Sequence, residues 1–195
     1  MENEPNYISL PSEKAVVAER ERLQYRKKYF RTLRTTLYAL VVVAAAAVLV
    51  ATLFFPVLQI SGSSMEPTLS DEDIVVLLKG GNFETGELVA FYYQNKLLLK
   101  RVIAGPGDIV NIDSEGNVYV NDELLDEPYV TEKALGEGDR DYPYQVPDER
   151  YFVMGDNRAT SIDSRSSAIG CIETDQIVGK VILRIWPLNR LSFVN

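Results

Sequence analysis

The sequence contains no histidine. That omission excludes the Ser-His-Asp arrangement and every zinc site that draws on imidazole. It has a single cysteine, Cys171, so no disulfide can close within the chain. The simplest reading of that cysteine is a small buried apolar residue. Positive charge is scarce over residues 59 to 195, which hold twelve Lys and Arg against twenty-three Asp and Glu. Phosphate binding needs clustered cations, so an acidic domain of this kind argues against nucleic acid as a partner. No residue pattern calls for a metal or an organic cofactor, and none is expected.

Charge of either sign is missing from residues 36 to 58. The run "LYALVVVAAAAVLVATLFFPVL", Leu37 to Leu58, has the length of a membrane span. Twenty-two residues of helix reach about 33 Å, against about 30 Å of hydrocarbon. A buried core helix would show a polar stripe, and none is visible. A cleavable signal peptide has a shorter apolar region followed by a small-residue cleavage site, whereas this run ends in Phe54, Phe55 and Pro56. An uncleaved span is therefore expected. Its N-terminal side is basic: residues 1 to 35 hold eight Lys and Arg against five Asp and Glu, most of the cations lying in "ERERLQYRKKYFRTLR". That stretch also suits an amphipathic helix resting on anionic lipid. The asymmetry of positive charge predicts a cytoplasmic tail over 1–35, a transmembrane helix over 36–58 and an extracytoplasmic domain over 59–195.

In the third segment no helical period is convincing. Short runs rich in Val, Ile, Leu and Tyr recur at 73–78, 87–93, 97–104, 108–112, 117–120, 150–154 and 176–186. Turn residues separate them, among them Gly80-Gly81-Asn82, Gln94-Asn95, Gly105-Pro106-Gly107 and Asn121-Asp122. This pattern predicts antiparallel β hairpins, hence a mainly β domain in a partly open barrel or sandwich. "IVNIDSEGNVYVNDELL" reads as two successive hairpins. Residues 126–149 are polar, with three prolines and two glycines, and predict a long surface loop.

"SGSSMEPTL", residues 61–69, places serines in a turn just beyond the apolar run. A serine nucleophile needs a group to take its proton. Without histidine the choice falls to a carboxylate or to a lysine held neutral by burial. "LLLKRVIA" sets Lys100 in an apolar strand, where alternation places it on one face with Leu98 and Val102. The alternative is an outward lysine on a surface strand. A third stretch, "GDNRATSIDSR" at 155–165, has the residues of a hydrogen-bonded polar loop. Asp156 and Asp163 there can pair with Arg101, Arg158 or Arg165, and Ser161 and Ser164 can donate to a neutral amine.

Taken together and in this order, the span, "SGSSMEPTL", "KRVIAGPGD" and "GDNRATSIDSR" resemble the bacterial type I signal peptidases. The resemblance runs from the span to about Trp186 and follows the short Gram-positive style of the family. It implies a membrane-bound serine endopeptidase that removes signal peptides from secretory preproteins after small residues, in an Ala-x-Ala pattern. It implies Ser64 as nucleophile and Lys100 as general base. Ser161 would hydrogen-bond the lysine, while Asp163, Arg165, Asp156 and Arg101 shape the site. Some members carry a second serine two positions before the nucleophile to complete the oxyanion hole. Here that position is Gly62, so the hole falls to backbone N–H groups, Ser63 or water. The implied setting is a bacterial cell membrane, with a functional link to the protein export machinery. Three alternatives stay open: a catalytically dead or scaffolding relative, one dedicated to substrates such as pilins, and a self-cleaving Ser-Lys repressor-like protease.

Overall fold

The structure is a computed structural model and describes residues 12–194. The chain divides after Val50 into two compact units. Helix α1 spans Glu13–Phe54. Neither glycine nor proline interrupts it, and alanine and leucine are strong helix formers. Ser12 caps its start, its Oγ accepting from the Ala15 N–H at 3.4 Å, and Pro56 stands just past its end. Its residues are exposed throughout, and it contains a stretch long and apolar enough to cross a membrane. The basic stretch continues the same helix, and the end of the apolar run leaves it. Val57–Gln59 instead forms strand β1, in which Leu58 pairs with Val75. Periodicity could not show this, because β-branched and aromatic residues serve a helix in lipid and a sheet edge equally well.

The second unit is built from antiparallel strands. Strand β2 is Ile74–Leu78, β3 Leu88–Tyr93 and β4 Lys96–Ala104. Strands β5 (Ile109–Ile112), β6 (Val118–Val120) and β7 (Glu123–Leu124) follow as the two expected hairpins. Next come β8 (Tyr144–Gln145), β9 (Arg150–Met154) and β10 (Ile172–Glu173). Last are β11 (Ile177–Trp186) and β12 (Ser192–Phe193). The larger sheet has the order β1-β2-β11-β3-β4-β9-β10, with β12 on β11. The smaller has the order β7-β6-β5-β8. The mainly β domain expected behind one N-terminal helix is what the chain forms.

Strand β4 lies in the middle of the larger sheet, between β3 and β9, and is buried continuously from Leu99 to Ala104. Apolar clusters pack on both sides of it. Leu99 joins Ile60, Met65, Leu69 and Val75, while Val102 joins Phe91, Tyr151 and Val153. Ile103 and Ala104 pack with Phe152, Val110 and Val118 between the two sheets. Cys171 belongs to that last cluster, and burial pushes its thiol pKa up. The 126–149 segment departs from the expected surface loop. It supplies β8 to the smaller sheet and buries Glu127 and Val146. A polar sequence can do this because its charges meet partners inside, which composition does not reveal.

Candidate active site

The serine-rich turn is held from below. Met65 and Leu69 sink into the core, and the Leu69 N–H donates to the Met65 carbonyl at 2.9 Å. At the start of the turn Gly62 has φ near +95°, a left-handed conformation that side chains resist, and its N–H donates to Asp71 Oδ1 at 2.8 Å. No atom lies within 4 Å of where a Gly62 Cβ would stand, so conformation, not space, accounts for that glycine. At the far end Thr68 Oγ1 donates to Asp156 Oδ2 at 2.5 Å. The turn is thus tied to the core, to its own flank and to the 155–165 loop.

Lys100 meets this turn from β4. Its Nζ donates to Ser64 Oγ at 2.8 Å, and the residue is only 4% exposed. Burial lowers its pKa from 10.5 to about 8. Asp163 works against that shift, Arg165 adds to it, and Asp156 opposes it more weakly. The apolar strand expected to bury a lysine does so, and both faces of β4 are covered.

The neighbouring charges are paired. Arg101 grips Asp156 with two bonds, Nε to Oδ1 at 2.8 Å and Nη2 to Oδ2 at 2.7 Å. Its third arm, Nη1, donates to the Gly86 carbonyl at 2.6 Å. Arg165 donates to Asp163 through Nε at 2.8 Å and through Nη2 at 3.0 Å. Asp163 Oδ2 also accepts from the Gly155 N–H at 2.9 Å. These four side chains are buried, so each pair must be intact to be tolerated. Ser164 takes no part near the lysine. Its Oγ ties β9 to the loop, accepting from Val153 N–H at 2.9 Å and donating to the Gly170 carbonyl at 2.7 Å.

At Ser161 the structure does not show the implied contact. The resemblance implies a hydrogen bond from its hydroxyl to Lys100. In the structure Ser161 is 3% exposed, and its Oγ makes no hydrogen bond among the described residues. The amine is engaged by Ser64 Oγ instead. The Ser161 hydroxyl faces the bare Cα of Gly155: a Cβ built there would lie 2.3 Å from Ser161 Oγ and 2.6 Å from the Ser64 carbonyl oxygen. Gly155 is therefore the residue around which the turn and the loop close. The Asn157 N–H completes the junction, donating to that same Ser64 carbonyl at 3.1 Å.

Two neighbours escaped sequence reasoning. Glu127 is buried and binds Arg158 with both oxygens, Arg158 Nη1 lying 3.2 Å from Oε2 and Nη2 pairing with Oε1. Tyr129 lies over Arg101, whose Cζ is 3.8 Å from the ring centroid. The "DEPY" stretch that carries both was legible only as part of the family likeness.

A half-buried hydroxyl against a buried amine, on antiparallel sheets and without imidazole, suits a hydrolase that works by acyl transfer. Comparison with known proteins narrows the class. The profile of the family described as signal peptidase, peptidase S26, matches residues 33–186, and the chain belongs to that family of peptidases. It is 34% identical over 164 residues to signal peptidase I of Bacillus amyloliquefaciens, which is 78% of this chain and 88% of the relative. It is 38% identical over 154 residues to signal peptidase IB of Staphylococcus aureus strain MRSA252, covering 69% and 79%. A crystal structure of a signal peptidase I from Enterococcus faecalis V583 aligns with a TM-score of 0.43 at 25% identity, over 51% of this chain and 97% of that one.

Proposed function

We propose that this chain is a membrane-anchored serine endopeptidase that removes signal peptides from secretory preproteins, with Ser64 as nucleophile and Lys100 as general base. The 2.8 Å contact between a buried lysine and a serine hydroxyl carries the reading. With a pKa of about 8, Lys100 is half neutral at that pH. When it is neutral, the Ser64 hydroxyl donates to the amine lone pair, the reverse of the bond described above.

Ser64 Oγ attacks the scissile carbonyl while Lys100 takes its proton. The tetrahedral oxyanion forms within reach of the Ser64 N–H, which donates to no group among the described residues. As the C–N bond breaks, the Lys100 ammonium returns the proton to the leaving amine, and the mature protein departs. Water then attacks the Ser64 ester, giving its proton to neutral Lys100. On collapse Lys100 returns that proton to Ser64 Oγ as the C–O bond breaks, restoring the hydroxyl and the neutral amine. The released acid of the signal peptide gives its own proton to solvent and leaves as a carboxylate. The preference for small residues before the cut, in the Ala-x-Ala pattern, belongs to this reading, as does an extended substrate that adds a strand to a sheet edge.

The apolar part of α1 would cross the bilayer with the basic tail in the cytoplasm and the β domain outside, close to where exported chains emerge. Cysteine labelling from either side of a bacterial cell membrane should find residues 59–194 outside. Labelling of the basic stretch from outside would reverse the topology. The deciding assay is incubation of the full-length protein in detergent with an Ala-x-Ala preprotein, followed by N-terminal sequencing of the product. A single cut after the second small residue is expected, and no cut sinks the proposal.

The pH profile follows from the lysine. The rate should climb from neutral pH through about 8, with one ionisation governing the acid limb. An acid limb near pH 4 to 5 that survives in Lys100→Met would point instead to a carboxylate such as Asp163. The same burial bears on stability. Because the folded pKa lies below the unfolded one, the unfolded chain holds more protons between about 8 and 10.5, so stability rises with pH across that window. Denaturant melts of Lys100→Met should lack this rise.

A further inference from the structure

The segment that follows β7 holds two side chains the mechanism above does not use. Glu127 is 8% exposed, yet it is an anion in a strongly acidic domain. An unpaired carboxylate would not be tolerated there. Its partners are Arg158, bound through both nitrogens, and the Tyr129 hydroxyl, which donates to Oε1 at 3.3 Å. Tyr129 in turn covers the Arg101 guanidinium. Burial, and then Glu127, push its phenol pKa up, so it stays a hydrogen-bond donor at working pH.

Each arginine leads to one half of the site. Arg101 follows Lys100 on β4 and holds Asp156. Arg158 Nε donates to the Gly155 carbonyl at 3.1 Å, beside the junction of Ser161 and the Ser64 carbonyl. A few residues on, the same segment contacts a third guanidinium: the Ala134 and Leu135 carbonyls accept from Arg165 Nη1 at 3.0 and 2.9 Å. Gly136 closes against it, since a Cβ there would lie 2.7 Å from both Arg158 O and Arg165 Nη1. Residues 127–136 therefore form a strap that touches all three buried arginines of the site and contributes nothing to the reacting atoms.

We propose that Glu127 and Tyr129 are positioning residues of this peptidase, acting through Arg158 and Arg101 to hold the 155–161 turn and Lys100 against Ser64. The inference rests on the Ser64–Lys100 reading given above. The Tyr129 ring covers the Arg101 guanidinium, keeping water from the Arg101–Asp156 pair and holding the guanidinium edge-on to its carboxylate. The charges facing Lys100 are Asp163, Arg165 and Asp156. Loosening Arg101 leaves Asp156 less compensated and admits water, and both effects favour the ammonium form of Lys100.

The test compares full-length Tyr129→Leu, Tyr129→Phe and Glu127→Gln on an Ala-x-Ala preprotein, with Ser64→Ala and Lys100→Ala alongside. Tyr129→Leu should lose about tenfold in kcat with KM within about twofold, as expected when an interaction outside the substrate-binding surface is removed. Its acid limb should move to higher pH. Tyr129→Phe keeps the ring on Arg101 and should restore the wild-type acid limb. Glu127→Gln keeps the volume, strands the Arg158 charge, and should lower kcat without raising KM. It also stands in as the deciding variant if Tyr129→Leu does not fold. A wild-type kcat and pH profile in Tyr129→Leu and Glu127→Gln overturns the inference, even if their melting temperatures fall. So does a Tyr129→Phe variant as impaired as Tyr129→Leu, or an effect confined to KM. If the wild type does not cut, or Ser64→Ala and Lys100→Ala still do, the Ser64–Lys100 reading has failed instead.

Discussion

Ser64→Ala and Lys100→Ala should each reduce kcat/KM on an Ala-x-Ala preprotein by about ten-thousand-fold or more, and the double variant should be no slower than either single one. In the proposed mechanism both groups act in one proton transfer across a 2.8 Å contact, so removing either should remove the whole step. What remains in each variant is the weak acceleration from substrate positioning and backbone donors. Lys100→Arg should be as inactive as Lys100→Ala, because a guanidinium stays charged and has no lone pair to offer. Ser63→Ala should cut at close to the wild-type rate, since Lys100 bonds Ser64 and not its neighbour. The measurement is steady-state cleavage followed on gels, with melting temperatures to show that the variants fold. Additive losses in the double variant, or an inactive Ser63→Ala beside an active Ser64→Ala, would sink the assignment.

Gly155→Ala should cost about a hundredfold in kcat, although it adds one methyl group. The added carbon would stand 2.3 Å from Ser161 Oγ, 2.5 Å from Ser161 Cβ and 2.6 Å from the Ser64 carbonyl oxygen. All three are shorter than van der Waals contact allows, and the last is the backbone of Ser64 itself. The turn and the loop must part, and Ser64 Oγ moves away from Lys100. A displacement of about 1 Å in an oriented site costs about two orders of magnitude. Gly155 is not among the glycines with positive φ, so strain of the backbone is not the cause. Gly62→Ala is the contrast. It meets nothing within 4 Å but must hold φ near +95°, so it should lower stability by about 1 kcal/mol. Parallel kinetics and melts separate the two. A wild-type kcat for Gly155→Ala would show that the junction yields more easily than its packing implies.

The strand-forming runs were legible because alternation of Val, Ile and Tyr between turn residues is a local signal. Seven such runs became β2 to β6, β9 and β11, each within a residue or two. The short strands β8, β10 and β12 have no such signal. They have two residues each, and pairing with a distant partner makes them strands. The apolar run likewise announced a helix long enough for a bilayer, but not its end at Phe54, because the next residues are set by pairing with β2.

By itself, the sequence determined which chemistry was open to this protein. Without histidine a serine had only lysines and carboxylates to turn to, and the motif resemblance singled out Ser64 and Lys100. Composition and charge likewise settled an acidic β-rich domain behind a long uncharged apolar run. Tertiary structure alone decided the rest. Lys100 and Ser64 are 36 positions apart, and only the docking of the turn onto β4 sets them 2.8 Å from each other. The lowered pKa of Lys100 comes from both faces of β4 being covered, by clusters drawn from several strands. The hydroxyl of Ser161 went to the packing at Gly155 instead of to the amine, because a missing Cβ there leaves room that no local pattern records. Glu127, polar in a polar segment, is buried because Arg158 waits for it 31 positions away. Burial and pairing are sums over distant neighbours, whereas the sequence displays only adjacent ones.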